Sequence, residues 1–181
     1  MSEGWVEQYR AQARYNTWMN DKLYRAARSL PEEKRKEDVG AFFKSLHGTL
    51  NHLLLADRVW MGRFTGQPEL FASKTSAGAV IAVTSLNQEL YADFDELTQE
   101  RRRTDEAIEA FFDTLSAERL AAEFHYKNMS GAPQSHTLWW ALSHFFNHQT
   151  HHRGQATTLL SQQGVDVGST DLIAFLRAPT L

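Results

Sequence analysis

Between Thr137 and Gln163 an apolar stripe recurs with the period of an α-helix, and histidines stand inside it. With each residue turned about 100° from the last and His148 as origin, Ala141 and Leu159 fall at about +20° and His152 at about +40°. Phe145 follows at about +60° and Ala156 at about +80° on the same count. A stripe of this length has to be covered by other helices, so its imidazoles have to be satisfied inside a core. Gln155 lies at about −20°, His144 at about −40° and His151 at about −60°, on the border of the stripe.

Three more segments repeat with the same period. The first runs from about Gly4 to Ser29, with Trp5, Tyr9, Ala13, Leu23 and Ala27 on one face, and the charged connection "SLPEEKRKED" ends it. The second is expected from about Ala41 to Phe64, closed by Gly66 with Pro68 beyond. Gln67 to Val83, mixed in Pro, Ser, Thr and Gly, reads as a long loop. The third covers about Ser85 to Leu115, and its middle, "QERRRTDEAIE", is charged on nearly all sides and is expected to be an exposed face. Phe124 and Tyr126 alternate before a Ser-Gly-Ala-Pro turn signal, which predicts a short two-stranded ribbon. Gly164 stands as the C′ residue of the last long helix, and a helical tail, "DLIAFLRA", follows. Four helices of roughly 25 residues, each about 35–40 Å long, predict an all-α four-helix bundle with one or two long crossovers. With no internal repeat, residues 1–181 read as one domain.

Composition narrows the function classes. The 181 residues carry a net charge of −3 without a basic run, which argues against a nucleic-acid footprint. No apolar stretch approaches the roughly 18 residues of a membrane span, and the N-terminus lacks the basic-then-apolar order of a signal peptide, so a cytoplasmic protein is expected. There is no cysteine, so any transition-metal site must be built from imidazole and carboxylate.

Histidines at i and i+4 on one helix face, such as His148 and His152, can close on one ion. His144 is about 12 Å from His152 along the axis and is better cast as a neighbour of the site or a pocket residue. The third ligand has to come from another helix, where His47 and His52 are about 140° apart, so only one of them can face the core. His52 shares its stripe with Ser45, Ala56 and Val59, and is the candidate; His47 points elsewhere and is expected to be solvated. Asp57 is also turned about 140° from His52 and reads as a salt-bridge partner away from the site. His125 and His136 lie in the irregular segment, where the pattern is silent. Gln149 fills the slot in which a zinc peptidase carries its general-base glutamate, and an amide cannot take a proton from water at neutral pH. Serine-hydrolase, P-loop and dinucleotide-binding motifs are absent.

The stretches "YNTWMN" (residues 15–20), "LNHLLLADRVWMGRF" (residues 50–64) and above all "HFFNHQTHHRGQ" (residues 144–155), followed by "LLSQQGVDVGSTDLIAFL", resemble the DinB-like family, four-helix-bundle metalloproteins related to YfiT. The resemblance implies a metal triad at His52, His148 and His152, one divalent ion (commonly zinc or nickel), and a homodimer. It also implies, for some members, thiol S-transfer or thiol-dependent isomerisation with a low-molecular-weight thiol cosubstrate.

The expected activity is therefore that of a metal-dependent thiol S-transferase acting on a small electrophile. The alternatives are a metal-binding or stress-associated protein without turnover, a metal-dependent hydrolase, and an interaction module with structural histidines. Trp60, Trp139 and Phe145 are candidate pocket walls, though core filling is the commoner role of such residues. His144, Gln155 and Tyr15 are candidates to reach the open side of the ion. No catalytic residue is assigned, and neither a nucleic-acid nor a membrane partner is expected.

Overall fold

The computed structural model describes residues 3–177 and turns each apolar stripe into a helix. The elements are α1 (Glu3–Arg28), α2 (Glu32–Lys36), α3 (Leu46–Thr65), α4 (Phe94–Asp113), α5 (Ala117–Ala121), α6 (Leu138–Gln162) and α7 (Leu172–Arg177). Between α5 and α6 the ribbon is present, with β1 (Glu123–Lys127) paired antiparallel to β2 (Pro133–Thr137) and Phe124 opposite His136. The last residue of the anticipated tail helix, Ala178, lies outside the described residues.

Three boundaries depart from expectation. α3 begins at Leu46, not Ala41, because Ala41–Lys44 is a tight turn with Lys44 at φ 66°, and the Ser45 side chain then caps the helix by accepting from the Gly48 N–H. α4 begins at Phe94, not Ser85, behind an Asp93 cap, so the loop read as ending at Val83 runs on to Asp93, with a 3-10 turn at Pro68–Phe71. The charged connection after α1 contains the extra short helix α2.

The four long helices form a ring in which α1 packs on α4 and α6, and α3 packs on α4 and α6. Two apolar clusters fill it. One holds Leu23, Leu50, Leu53, Leu97 and Leu160. The other holds Val6, Ile108, Phe112, Leu142 and Phe145. The order in which each helix meets the two clusters fixes its direction. α1 and α6 run from the second cluster to the first, while α3 and α4 run the opposite way. The neighbours α3 and α4 are therefore parallel, which a short loop cannot achieve, and Gly66–Asp93 is the crossover this requires.

Between the clusters lies a polar layer that the charge pattern does not announce. Arg101 is 2% exposed and Asp105 3%, inside the segment expected to be a solvated face. Arg101 pairs with Asp57 on α3 at 2.6 Å and with Asp105 one turn along at 2.8 Å. Asp105 accepts from Asn16 at 3.1 Å and from Asn20 at 2.9 Å, both on α1. Arg153 on α6 donates to the side-chain oxygen of Asn16, and Gln149 donates to Asp57 at 3.0 Å. Two carboxylates and two guanidinium groups thus meet in the core with their charges balanced, each hydrogen-bonded, as burial of charge requires. Gln99, Arg102, Arg103 and Glu106 in the same segment are exposed as expected.

Candidate metal centre

His52 on α3 and His148 and His152 on α6 meet where the two helices pack, at the level of the polar layer. Their Nε2 atoms form a near-regular triangle, with 3.2 Å from His52 to His148, 3.2 Å from His52 to His152, and 3.1 Å from His148 to His152. His52 and His152 are buried and His148 is half-buried.

Two of the three rings are fixed from behind. The Nδ1–H of His52 donates to the Leu86 carbonyl at 2.7 Å, and the Nδ1–H of His152 donates to Gln155 Oε1 at 2.7 Å. The Leu86 carbonyl is delivered by the crossover loop, which Asn51 pins against α3 by accepting the Leu90 and Tyr91 N–H groups at 2.9 Å each. With Nδ1 committed as a donor, a neutral ring has a bare lone pair on Nε2. The triangle therefore brings together lone pairs that repel one another unless a cation sits among them.

A proton is a poor candidate. Burial, above all, pushes His52 down to about 4, and burial with the neighbouring imidazoles pushes His148 down to about 3. His152 is lowered as well, again chiefly by burial. A divalent ion suits the donor set better, since nitrogens about 2.0–2.1 Å from a tetrahedral zinc are about 3.3–3.4 Å apart, close to the edges found here. The three histidines could thus form a metal site.

Phe43 roofs the cluster, its ring stacked on His52 at 3.9 Å and edge-on to His152 at 5.3 Å. Gly48 makes this approach possible, because a Cβ there would press into the Phe43 carbonyl closer than real Cβ contacts come. Gly48→Ala should therefore displace Phe43 and cost about 1–3 kcal/mol, as overpacking does. In a thermal melt that is a loss of roughly 2–12 °C. A melt unchanged to within a degree would mean that the turn before α3 yields freely.

The other candidates are placed as follows. His47 is not solvated but 1% exposed, its Nε2–H donating to the Tyr91 carbonyl at 2.8 Å; the crossover loop covers it. Asp57 is a salt-bridge partner, as expected, but a buried one, and Gln149 joins it to the helix that bears His148 and His152. His144 lies beside the cluster, its ring 6.0 Å from that of His148 and 5.1 Å from that of Trp60. With Trp60, Tyr126, His136 and Trp140 it lines a cavity of 440 Å³. Trp139 stacks on Trp140 at 3.9 Å, and Phe145 is core, 1% exposed among Phe64 and Phe112. The Tyr15 hydroxyl is committed to the Thr170 carbonyl at 2.6 Å, and His151 is exposed. Asn16, Asn20 and Arg153 were not foreseen as partners of a polar layer, although Asn16 and Asn20 continue the Tyr9, Ala13, Leu23, Ala27 stripe.

Comparison with known proteins gives the family and the fold. The DinB family model matches residues 6–180. The chain is 28% identical over 163 residues to Protein DinB of Bacillus subtilis (strain 168), and the match covers 90% of each. In fold it is similar to the crystal structure of a DinB-like protein from Bacillus cereus, with a TM-score of 0.56 at 20% identity, covering 84% of this chain and 91% of that one.

Proposed function

This chain belongs to the DinB family, and we propose that its His52, His148 and His152 hold one divalent ion, zinc or nickel, in a thiol S-transferase that acts on a small electrophile. The observation that carries the reading is the inward-facing Nε2 triangle, whose Nδ1 atoms on His52 and His152 are already spent on Leu86 and Gln155. When bound, such an ion supplies Lewis acidity, enough to deprotonate a coordinating thiol outright.

The residues of the chain do the rest. The carbonyl of Leu86 and the amide oxygen of Gln155 hold two rings in one tautomer and orientation, the usual role of a partner behind a ligating histidine. Phe43 excludes water from one side of the cluster. Three neutral imidazoles leave the charge of a divalent ion uncompensated, which favours an anionic substrate atom next to them. Since the chain has no cysteine, the thiol comes as a cosubstrate. The thiol proton passes to solvent, the sulfur lone pair forms the new C–S bond, and the leaving group departs with its bonding pair. The cavity at Trp60, Trp140 and His144, beside His148, offers aromatic walls to the electrophile.

Hydrolysis is the weaker reading, because it needs a general base. Gln149 is an amide, and both oxygens of the nearest buried carboxylate, Asp57, are engaged, one by Gln149 and the other by Arg101.

The test is a screen of glutathione, cysteine, bacillithiol and mycothiol against an activated aryl halide, with zinc- and nickel-loaded protein. Conjugation should appear with at least one thiol and vanish in the chelated protein and in His148→Ala. Metal-dependent hydrolysis of simple esters or amides without conjugation would replace transfer with hydrolysis. Loading without either activity would leave a metal-binding protein without turnover.

A further inference from the structure

A second cavity, of 570 Å³, runs along α3 toward its C-terminus. Its floor is the helix face that carries His52: taking His52 as origin, Val59 lies at about −20° and Arg63 at about +20°. Arg63 is about 16 Å further along the axis, well away from the three imidazoles. The walls are the crossover loop at Val80–Val83 and the ribbon at Tyr126–Met129.

Three observations single this cavity out. First, no aspartate or glutamate lines it, although the chain has 22 acidic residues against 19 basic ones. The larger surface cavity of 990 Å³ differs in this respect, since Asp95, Glu96 and Glu100 stand among its arginines. Second, of the cations lining it, Arg58 is paired with Glu100, but Arg63 has no carboxylate partner among the described residues. The Arg63 guanidinium is half-buried and lies over the rings of Trp60 at 4.7 Å and Tyr126 at 5.1 Å, so its planar face is packed while its N–H groups lack an anion. Third, the walls include large apolar side chains left in water, Val80 at 64% and Met129 at 52% exposure. Lys127 adds a further positive charge at the rim.

A guanidinium without a carboxylate partner, in an apolar cavity lined by no acid, is complementary to one class of ligand. We propose that this cavity binds an amphipathic monocarboxylate, its acid group on Arg63 and its apolar body between Val59, Val80 and Met129. The guanidinium fork accepts a carboxylate through two parallel N–H···O bonds, which an alcohol of the same length cannot reproduce. A volume of 570 Å³ is within the range of small-molecule sites. The site goes beyond the transfer reaction and needs no ion, because Arg63 is outside the histidine cluster.

The experiment is a ligand-observed NMR titration of the whole chain, with and without metal, using octanoate, decanoate and 1-octanol. Octanoate should bind at least about tenfold more tightly than octanol, from the charge-assisted pair. Decanoate should gain roughly fourfold per added methylene. Arg63→Met, which keeps an apolar stem, should bring octanoate down to the affinity of octanol and leave octanol unchanged. Met129→Glu, at an exposed position, should weaken both carboxylates while the melt stays as in the parent. Equal binding of octanoate and octanol, undiminished octanoate binding in Arg63→Met, or no binding at millimolar ligand would each overturn the proposal. Failure of the thiol screen would leave it untouched.

Discussion

Replacing Arg101 with leucine should lower the melting temperature by roughly 6–20 °C at pH 7. Arg101 is the cation between Asp57 and Asp105, all three at most 3% exposed. Removing one partner of a buried pair typically costs about 3–5 kcal/mol, because the other is left charged and desolvated. A chain of this size loses about 2–4 °C per kcal/mol. The deficit should also depend on pH in a definite direction. Burial already raises both carboxyls, Asp105 to about 6, against the lowering effect of Arg101. Without Arg101 both rise further, so the folded variant holds protons that its unfolded chain releases near the ordinary carboxylate range. Its stability should therefore increase as pH falls from 7 toward 5, and the gap to the parent should narrow. Neutralising the acids as well, with Asp57→Asn and Asp105→Asn, should recover part of the loss at pH 7. A melt within about 3 °C of the parent at pH 7 would show that Arg101 contributes little to stability.

The second large effect is on metal. His52→Ala, His148→Ala and His152→Ala should each weaken zinc or nickel binding by well over about 100-fold, whereas Gln155→Ala, which frees the back of His152, should weaken it by about 10–100-fold. His47→Ala should keep the metal but melt lower, since it removes a fully buried ring bound to the Tyr91 carbonyl. Elemental analysis and competition titration on untagged protein separate these outcomes. Chelation should lower the melt of the parent, by an amount set by the ratio of free metal to Kd. The chelated protein should also lose stability as pH falls from about 6.5 toward 4 and below. Unfolded imidazoles take protons near 6.5, while folded His52 and His148 take them only near 4 and 3. Metal retained in His52→Ala and lost in His47→Ala would move the third ligand five residues back along α3, to another face of the helix.

Sequence periodicity carried the bundle, the ribbon and the inward face of His148 and His152, because each is a local property of one helix or hairpin. It failed where the deciding partner is distant in the chain. His47 looked solvated because its cover is the Tyr91 carbonyl, 44 residues away and held there by Asn51. The charged middle of α4 carries no sign of burial in the sequence, because the groups that balance its charges lie on other helices. Yet Phe94, Leu97, Arg101, Asp105, Ile108 and Phe112 continue one buried stripe with two charged residues at its centre. The counterparts, Asn16, Asn20, Asp57, Gln149 and Arg153, come from three other helices, and no single-helix pattern can match them to one another. The helix starts at Leu46 and Phe94 were missed for a smaller reason, since apolar residues in the preceding turns keep a helical rhythm that the Ser45 and Asp93 caps interrupt.

The hydrogen bond from Gln149 to Asp57 also limits what this chain can become by small steps. Exchanging one amide for one acid, Gln149→Glu, restores the letters of a peptidase helix beside the histidines. In this core, however, the new carboxylate would lie within hydrogen-bonding distance of another, in a place where two like charges cannot both persist. One of them would have to keep a proton and lose its use as a base. While Asp57 stays ionised on Arg101, the proton falls on the new side chain, so gaining a base at position 149 requires the polar layer to change with it.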